Sequence, residues 1–323
     1  MSFKDIIGQD IAIRSLENLI GQDQVRGSYL FLGPDGTGKR AVATEFAKAI
    51  NCGSGQQGAC EECVSCKKIN SANHPDVFTI CPEGGGSGAI KIATVRDIIY
   101  EASLKPYEAK KRVFIVNDAE VMTEEAQNAF LRLLEEPPIN HIFILTASNS
   151  AGLLSTVVSR CRVLKFYSLS QDDIRECLLS RGLEEEKAAL FSHMAMGSLG
   201  RAMDFKDENI IERRDQMVND FFLRKTALLH ESVLKDARGK DLEESLYALL
   251  CWYRDLLVSK FTTDPDRLLN IDRAREIVSY AARFSKAKLK NDISSIMKAM
   301  GYIRQNINPK IALFNMAIEL KRG

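Results

Sequence analysis

The feature that most constrains this chain is the octapeptide Gly33-Pro34-Asp35-Gly36-Thr37-Gly38-Lys39-Arg40. It follows the apolar run Tyr29-Leu30-Phe31-Leu32 and leads into residues 41–50, which hold few helix breakers. Strand, glycine-rich turn and helix in that order predict a phosphate-binding P-loop of the form G-x-x-x-x-G-K. The glycines let backbone N–H groups converge on one point, and the helix N-terminus adds partial positive charge there. Lys39 supplies a full charge for β/γ-phosphates. Gly33, Gly36, Thr37, Gly38 and Lys39 are therefore the candidate phosphate-binding residues, and the bland alternative is a glycine-rich turn that binds nothing.

The eighth letter departs from the motif. That position normally carries Ser or Thr, whose hydroxyl coordinates Mg²⁺. Arg40 has no acceptor to offer a cation. A second departure follows the strand 113–116. A nucleotide hydrolase places an acidic Mg²⁺ partner there, whereas this chain reads Asn117-Asp118-Ala119-Glu120. An amide brings no negative charge. Two independent changes at one ion argue for a loop that holds phosphate without hydrolysing it.

Cys52, Cys60, Cys63 and Cys66 are spaced C-x7-C-x2-C-x2-C. Two tight C-x2-C turns and one longer arm let four thiolates close a tetrahedron around Zn²⁺. Four cysteines also accept an iron–sulfur cluster, but the spacing matches neither ferredoxin pattern. Four free thiols would leave a polar, glycine-rich insertion with no core. With no open coordination position, the expected zinc is structural.

Strand patterns at 77–80, 113–116, 142–147 and 162–166 alternate with helix patterns at 92–102 and 124–134, the latter capped by Thr123. The alternation predicts a three-layer α/β domain with a mostly parallel sheet. Ile11, Ile13, Leu16, Leu19 and Ile20 form a packing stripe, and Val95, Ile98 and Ile99 point inward. Ile7-Gly8-Gln9 packs or lines an adenine pocket. Glu83-Gly84-Gly85-Gly86-Ser87-Gly88 reads as a solvated loop, since no Lys directly follows its glycines. From Ser170, a helix cap, no strand pattern returns. Later stripes include Leu246, Leu249, Leu250 and Tyr253, then Ile293, Ile296, Met297 and Met300. Trp252 is expected in the core, and Lys286, Lys288 and Lys290 in a solvated interhelical segment.

A net charge of +1 on 323 residues gives no global field toward nucleic acid or anionic membrane. The first residues lack an apolar signal region, and no run of about 18 apolar residues is present. Four of eight cysteines at metal spacing fit a reducing compartment. A cytoplasmic, soluble, multidomain protein is expected.

The P-loop, the four-cysteine insertion, Glu135-Glu136-Pro137-Pro138 and Ser159-Arg160-Cys161 together resemble bacterial clamp-loader subunits of the AAA+ superfamily, components of DNA polymerase III. The resemblance spans essentially the whole chain, through Trp252-Tyr253-Arg254-Asp255-Leu256-Leu257 and Asn306-Ile307-Asn308-Pro309-Lys310. It implies an AAA+ P-loop domain at 1–166 with a zinc-binding insertion at 52–66, a small helical lid at 167–207 and a helical collar for oligomerisation at 208–323. It further implies a hetero-pentameric ring with other clamp-loader subunits, which loads a sliding clamp onto primed DNA. In that setting Arg40 and Asn117 match a rigid stator that binds ATP, if at all, without hydrolysis. Arg160 becomes an arginine finger supplied in trans to a neighbouring ATPase subunit. The first sensor position falls near Asn149, and the second lies near Arg201, one place late. The competing readings are an ATP-hydrolysing clamp-loader subunit of the gamma/tau kind and an independent zinc-containing nucleic-acid-binding protein.

Overall fold

Five apolar runs become five strands, and their order places the P-loop. The structure is a computed structural model describing residues 2–54, 58–83, 88–207, 209–223, 240–262, 264–304 and 307–321. Residues 55–57 of the cysteine insertion, 84–87 of the glycine-rich loop and Asn306 of the tail motif lie outside the described residues. The chain divides into two compact units. One is Met1–Asp173 with Ser198–Gly200, and the other is Ile174–Gly197 with Arg201–Gly323.

In the first unit the strands are β1 (Gly27–Leu32), β2 (Val77–Ile80), β3 (Arg112–Val116), β4 (His141–Ala147) and β5 (Arg162–Lys165). The sheet order is β2-β3-β4-β1-β5, with every neighbouring pair parallel. The helices of this unit include α1 (Asp10–Gly21), α2 (Lys39–Asn51), α3 (Val64–Asn70), α4 (Ile92–Ala102), α5 (Glu124–Glu135) and α6 (Ser155–Val158). The α/β expectation is met. All of β3 and β4 is buried, as continuous apolar runs in a doubly covered parallel sheet require.

Alternate side chains serve the two faces. Tyr29, Phe31, Ile115 and Ile144 pack with Leu16, Val42 and Phe46. Leu30, Phe114, Phe143 and Leu145 pack with Val95, Ile98 and Phe130. Strand β1 sits between β4 and β5, with Leu32 opposite both Ala147 and Lys165. Strands β2 to β4 all lie on one side of β1, so the strand order switches beside it. Ligand crevices in open α/β sheets form at the carboxyl end of such a switch point, which is where β1 delivers the P-loop.

Two expected core positions are corrected. Ile11 is 77% exposed because the buried stripe of α1 runs through Ala12, Ile13, Leu16 and Leu19. Ile99 lies outside as well, and Ala102 closes the inner face of α4 in its place.

Among the described residues beyond β5 only helices occur. They include α7 (Gln171–Ser180), α8 (Glu185–Met194), α9 (Leu199–Asp207), α10 (Ile210–Met217), α11 (Lys240–Val258), α12 (Ala274–Ala281), α13 (Lys286–Arg304) and α14 (Pro309–Lys321). Ser170 Oγ accepts from Asp173 N at 3.0 Å, capping α7. In the second unit Trp252, Leu246, Leu249 and Leu256 of α11 pack with Ile277, Ile296 and Met316. Met297 is exposed, off that stripe.

Lys286, Lys288 and Lys290 lie in the first turns of α13 and not in a segment between helices. Lys288 Nζ reaches Asp292 Oδ1 at 2.7 Å and the Leu320 carbonyl at 3.0 Å, where it meets the negative end of α14. Asp255 of the Trp252–Leu257 motif is fully buried. Its carboxylate accepts from Leu269 N at 3.0 Å and from Asn270 N at 2.8 Å, pinning a connection that has no regular ladder. No helix among the described residues is long and apolar enough to cross a membrane.

Candidate functional site

The P-loop turns on left-handed backbone that favours glycine. Gly36 and Gly38 have φ of +71° and +93°. A Cβ on Gly33 would lie 2.2 Å from the Phe166 carbonyl oxygen, so the loop and the chain after β5 meet backbone to backbone. Gly36 is held from the other side, its carbonyl accepting from Gly200 N at 3.0 Å. Thr37 Oγ1 donates to the Pro34 carbonyl at 2.8 Å. Lys39 is buried, and its Nζ donates to the Gly33 and Pro34 carbonyls at 2.6 and 2.8 Å, with Asp35 at 3.7 Å. Burial lowers the Lys39 pKa, while the charges of Asp35, Glu120 and Asp118 oppose that fall. The left-handed glycines and the lysine at the helix start fit a phosphate, which would compete with those loop carbonyls for the ammonium.

The cation side of the pocket is different. Arg40 is exposed at the start of α2. Asn117 is buried inside the sheet, where its Oδ1 accepts from Thr146 Oγ1 at 3.4 Å and its Nδ2 faces Cys81 Sγ at 3.5 Å. Its amide is engaged by Thr146 of β4 and by Cys81 just past β2.

Sequence reasoning missed the joint action of Asp118 and Glu120 on Lys39. Asp118 takes a left-handed backbone, and burial, then the Glu120 and Asp35 charges, push its pKa up. Glu120 Oε1 accepts from Ser148 N at 2.7 Å and from Ser148 Oγ at 2.5 Å. Negative charge from Asp118 and Glu120 therefore opposes the lowering of the Lys39 pKa although Asn117 is neutral. The signal was present as two acidic residues just past a buried strand.

The remaining candidate nucleotide contacts have local partners. Asn149 is exposed, and its Oδ1 closes a turn by accepting from Ala151 N at 2.9 Å. Gln9 is buried, and its side chain bonds both the carbonyl and the N–H of Tyr167 at 2.8 and 3.2 Å. Its placement is that of a structural tie. Arg201 belongs to the second unit and stacks on the Tyr247 ring at 4.2 Å.

At the far end of α2 the four cysteine sulfurs converge within 4.8 Å of one another. Cys52 caps the C-terminus of α2 and is buried, as is Cys66 in α3. Cys63 is the N-cap of α3. Its Sγ accepts from Cys66 N at 3.4 Å, and Cys60 Sγ accepts from Cys63 N at 3.3 Å. The Cys63 N–H, with that of Glu62, pulls the Cys60 thiol down to about 6, whereas burial pushes Cys66 up to about 12. Tetrahedral zinc with Zn–S of about 2.3 Å needs sulfurs roughly 3.8 Å apart, and this cluster fits that ion.

Arg160 lies between α6 and β5. Its Nη1 donates to the Thr156 carbonyl at 3.1 Å, and its Nε to Glu135 Oε2 at 3.3 Å. The carboxylate partner comes from the Glu-Glu-Pro-Pro motif. The Arg160 side chain is 30% exposed.

A family profile described as DNA polymerase III, delta subunit, matches residues 8–170, and its counterpart for the C terminal region of that subunit matches residues 208–322. The chain is 28% identical to DNA polymerase III subunit delta' of Bacillus subtilis (strain 168), over 98% of this chain and 97% of that protein. Against subunit tau of the same organism the identity is again 28%, over 80% of this chain and 50% of that protein. Among solved structures, a DNA polymerase III gamma subunit-related protein from Thermotoga maritima aligns with TM-score 0.53 at 19% identity, covering 96% of this chain and 99% of that one. That last likeness concerns the fold alone.

Proposed function

This chain belongs to the DNA polymerase III delta-subunit family and is a delta'-like clamp-loader subunit, and from that premise we propose that it serves as a non-hydrolysing stator lending Arg160 to a neighbour's ATP site. Its partners are other clamp-loader subunits. In the proposed assembly, a hetero-pentameric ring, they load a sliding clamp onto primed DNA.

The observation that carries the reading is Asn117. The residue at the position of the metal-side carboxylate is a neutral amide engaged by Thr146 and Cys81. Arg40 compounds the change with a cation where a hydroxyl would sit. A nucleotide bound at Gly33, Gly36, Thr37, Gly38 and Lys39 would supply phosphate charge to the loop. Lys39 would hold that charge, and the glycines would admit it close to the backbone. Arg160 acts outward. Its planar fork offsets charge that develops on a phosphoryl group, and such a finger in trans is worth roughly 10³–10⁵ in rate. Cys52, Cys60, Cys63 and Cys66 would hold Zn²⁺, which ties the insertion to the end of α2.

The test is a reconstituted loader carrying Arg160→Ala. Expected are normal assembly, a partial fall in clamp- and DNA-stimulated ATPase and a larger fall in clamp loading. Arg160→Lys rescues poorly, because an ammonium lacks the fork. Wild-type loading by the Ala ring sinks the finger. The gamma/tau-like reading keeps one observation in its favour, the 28% identity to subunit tau over 80% of this chain. Steady ATP turnover by the isolated chain, abolished by Lys39→Ala, would establish it.

A further inference from the structure

Lys48 lies on α2, one turn before Cys52, with its side chain completely buried. A buried ammonium needs partners, because desolvation of a charge is otherwise prohibitive. It meets Glu45 Oε1 at 2.7 Å, Glu61 Oε1 at 2.6 Å and Asn70 Oδ1 at 2.9 Å. Asn70 Nδ2 in turn donates to Glu61 Oε2 at 2.8 Å.

Those partners have a telling distribution. Glu61 is one of the two residues between Cys60 and Cys63. Asn70 ends α3, the helix that carries Cys66, and Lys48 lies on α2, whose C-cap is Cys52. One ammonium thus joins all three segments that supply the four sulfurs. Glu61 also has φ of +63°, a left-handed backbone that non-glycine residues rarely adopt. The turn made there leaves Cys60 Sγ facing Cys63 N.

We propose that Lys48 and Glu61 are positioning residues for the cysteine metal centre, gathering its ligands on the P-loop helix before the ion arrives. The inference rests on the zinc reading and adds to it the residues that organise the site. Charge neutralisation alone does not explain the arrangement, since Glu45 by itself would balance the single ammonium and Glu61 is a second carboxylate. The role is geometric. Outer-shell partners of metal ligands are typically worth about 10–100-fold in metal affinity.

The experiment is competition for Zn²⁺ between the full-length chain and a chromophoric chelator. Glu61→Ala is the main variant, because its side chain is partly exposed and its loss leaves no gap in the core. Its zinc affinity is expected to fall about tenfold or more. Glu61→Gln retains an oxygen for Lys48 and should recover much of the loss. Lys48→Met should fall at least as far as Glu61→Ala, and pairing it with Glu45→Gln removes the buried charge left behind. Thermal unfolding of the chelator-treated proteins supplies the second readout. A merely structural tie would lower metal-free stability and leave zinc affinity untouched, and that result overturns the proposal. Wild-type protein that takes up no zinc overturns the metal reading itself and this inference with it.

Discussion

The two ends of α2 carry two kinds of site, and they differ in which half of the chemistry is intact. At the N-terminus the P-loop keeps its left-handed glycines and Lys39, while Arg40 and Asn117 replace groups that would face a cation. At the C-terminus four sulfurs stand within 4.8 Å of one another, those of Cys60 and Cys63 accepting from backbone N–H groups, with Lys48 paired to Glu61 beside them. The comparison shows that a backbone cradle survives side-chain change, since its donors are main-chain groups. A four-thiolate centre has no such reserve, because every ligand is a side chain.

Breaking the richer end should have the largest effect. Cys66→Ser removes a buried ligand, and structural zinc can represent on the order of 10 kcal/mol of apparent binding energy at neutral pH. Elemental analysis should then show well under one zinc per chain, with the insertion disordered. Far-ultraviolet circular dichroism should still report the α/β core. Collapse of the whole first unit would mean that the centre supports the sheet as well as the insertion.

At the other end, Gly33→Ala sets a methyl against the Phe166 carbonyl at 2.2 Å before relaxation. Overpacking of this kind typically destabilises by about 1–3 kcal/mol. Chemical denaturation should read that loss, while zinc content stays at wild type. A fall in zinc content as well would show that the two ends of α2 are coupled.

A smaller effect is expected from the P-loop's cation side. Asn117→Asp restores a carboxylate but leaves Arg40, so ATP turnover by the isolated chain should stay at background. Arg40→Thr combined with Asn117→Asp is the sharper variant. Turnover by the single variant would show that one neutral amide was the whole defect. The smallest change expected is at Thr123, whose Oγ1 caps α5 by accepting from Ala126 N at 3.3 Å. Thr123→Ala should cost about 1 kcal/mol in denaturant unfolding and alter neither end of α2.

Much of the first unit was legible because its signals act over a few residues. Largely apolar runs at 113–116 and 142–147 mark strands covered on both faces, and glycines before Lys39 mark a tight turn into a helix. Thr123 and Ser170 announce helix starts through hydroxyls that reach N–H groups only three residues away. The spacing of Cys60, Cys63 and Cys66 brings three sulfurs together by local turns. Each of these needs no knowledge of what lies elsewhere in the chain.

The choice among distant partners was not legible. Arg160 had acidic residues on both sides in sequence, and any carboxylate attracts a guanidinium. Packing of the α5 terminus against the α6–β5 connection selected Glu135. Lys48 looked like an ordinary helix lysine until Glu61 and Asn70 closed over it. Asn117 read as a lost ligand, and only β4 beside β3 revealed Thr146 as its partner. Ile11 and Met297 fit helical stripes by hydrophobicity, yet the helix's angular position relative to its neighbours left both outside. Sequence alone determined the elements, the P-loop and the cysteine set, because propensity, capping and turn chemistry are short-ranged. Tertiary structure decided which charges pair and which apolar faces close, because those depend on segments brought together only when the sheet assembles.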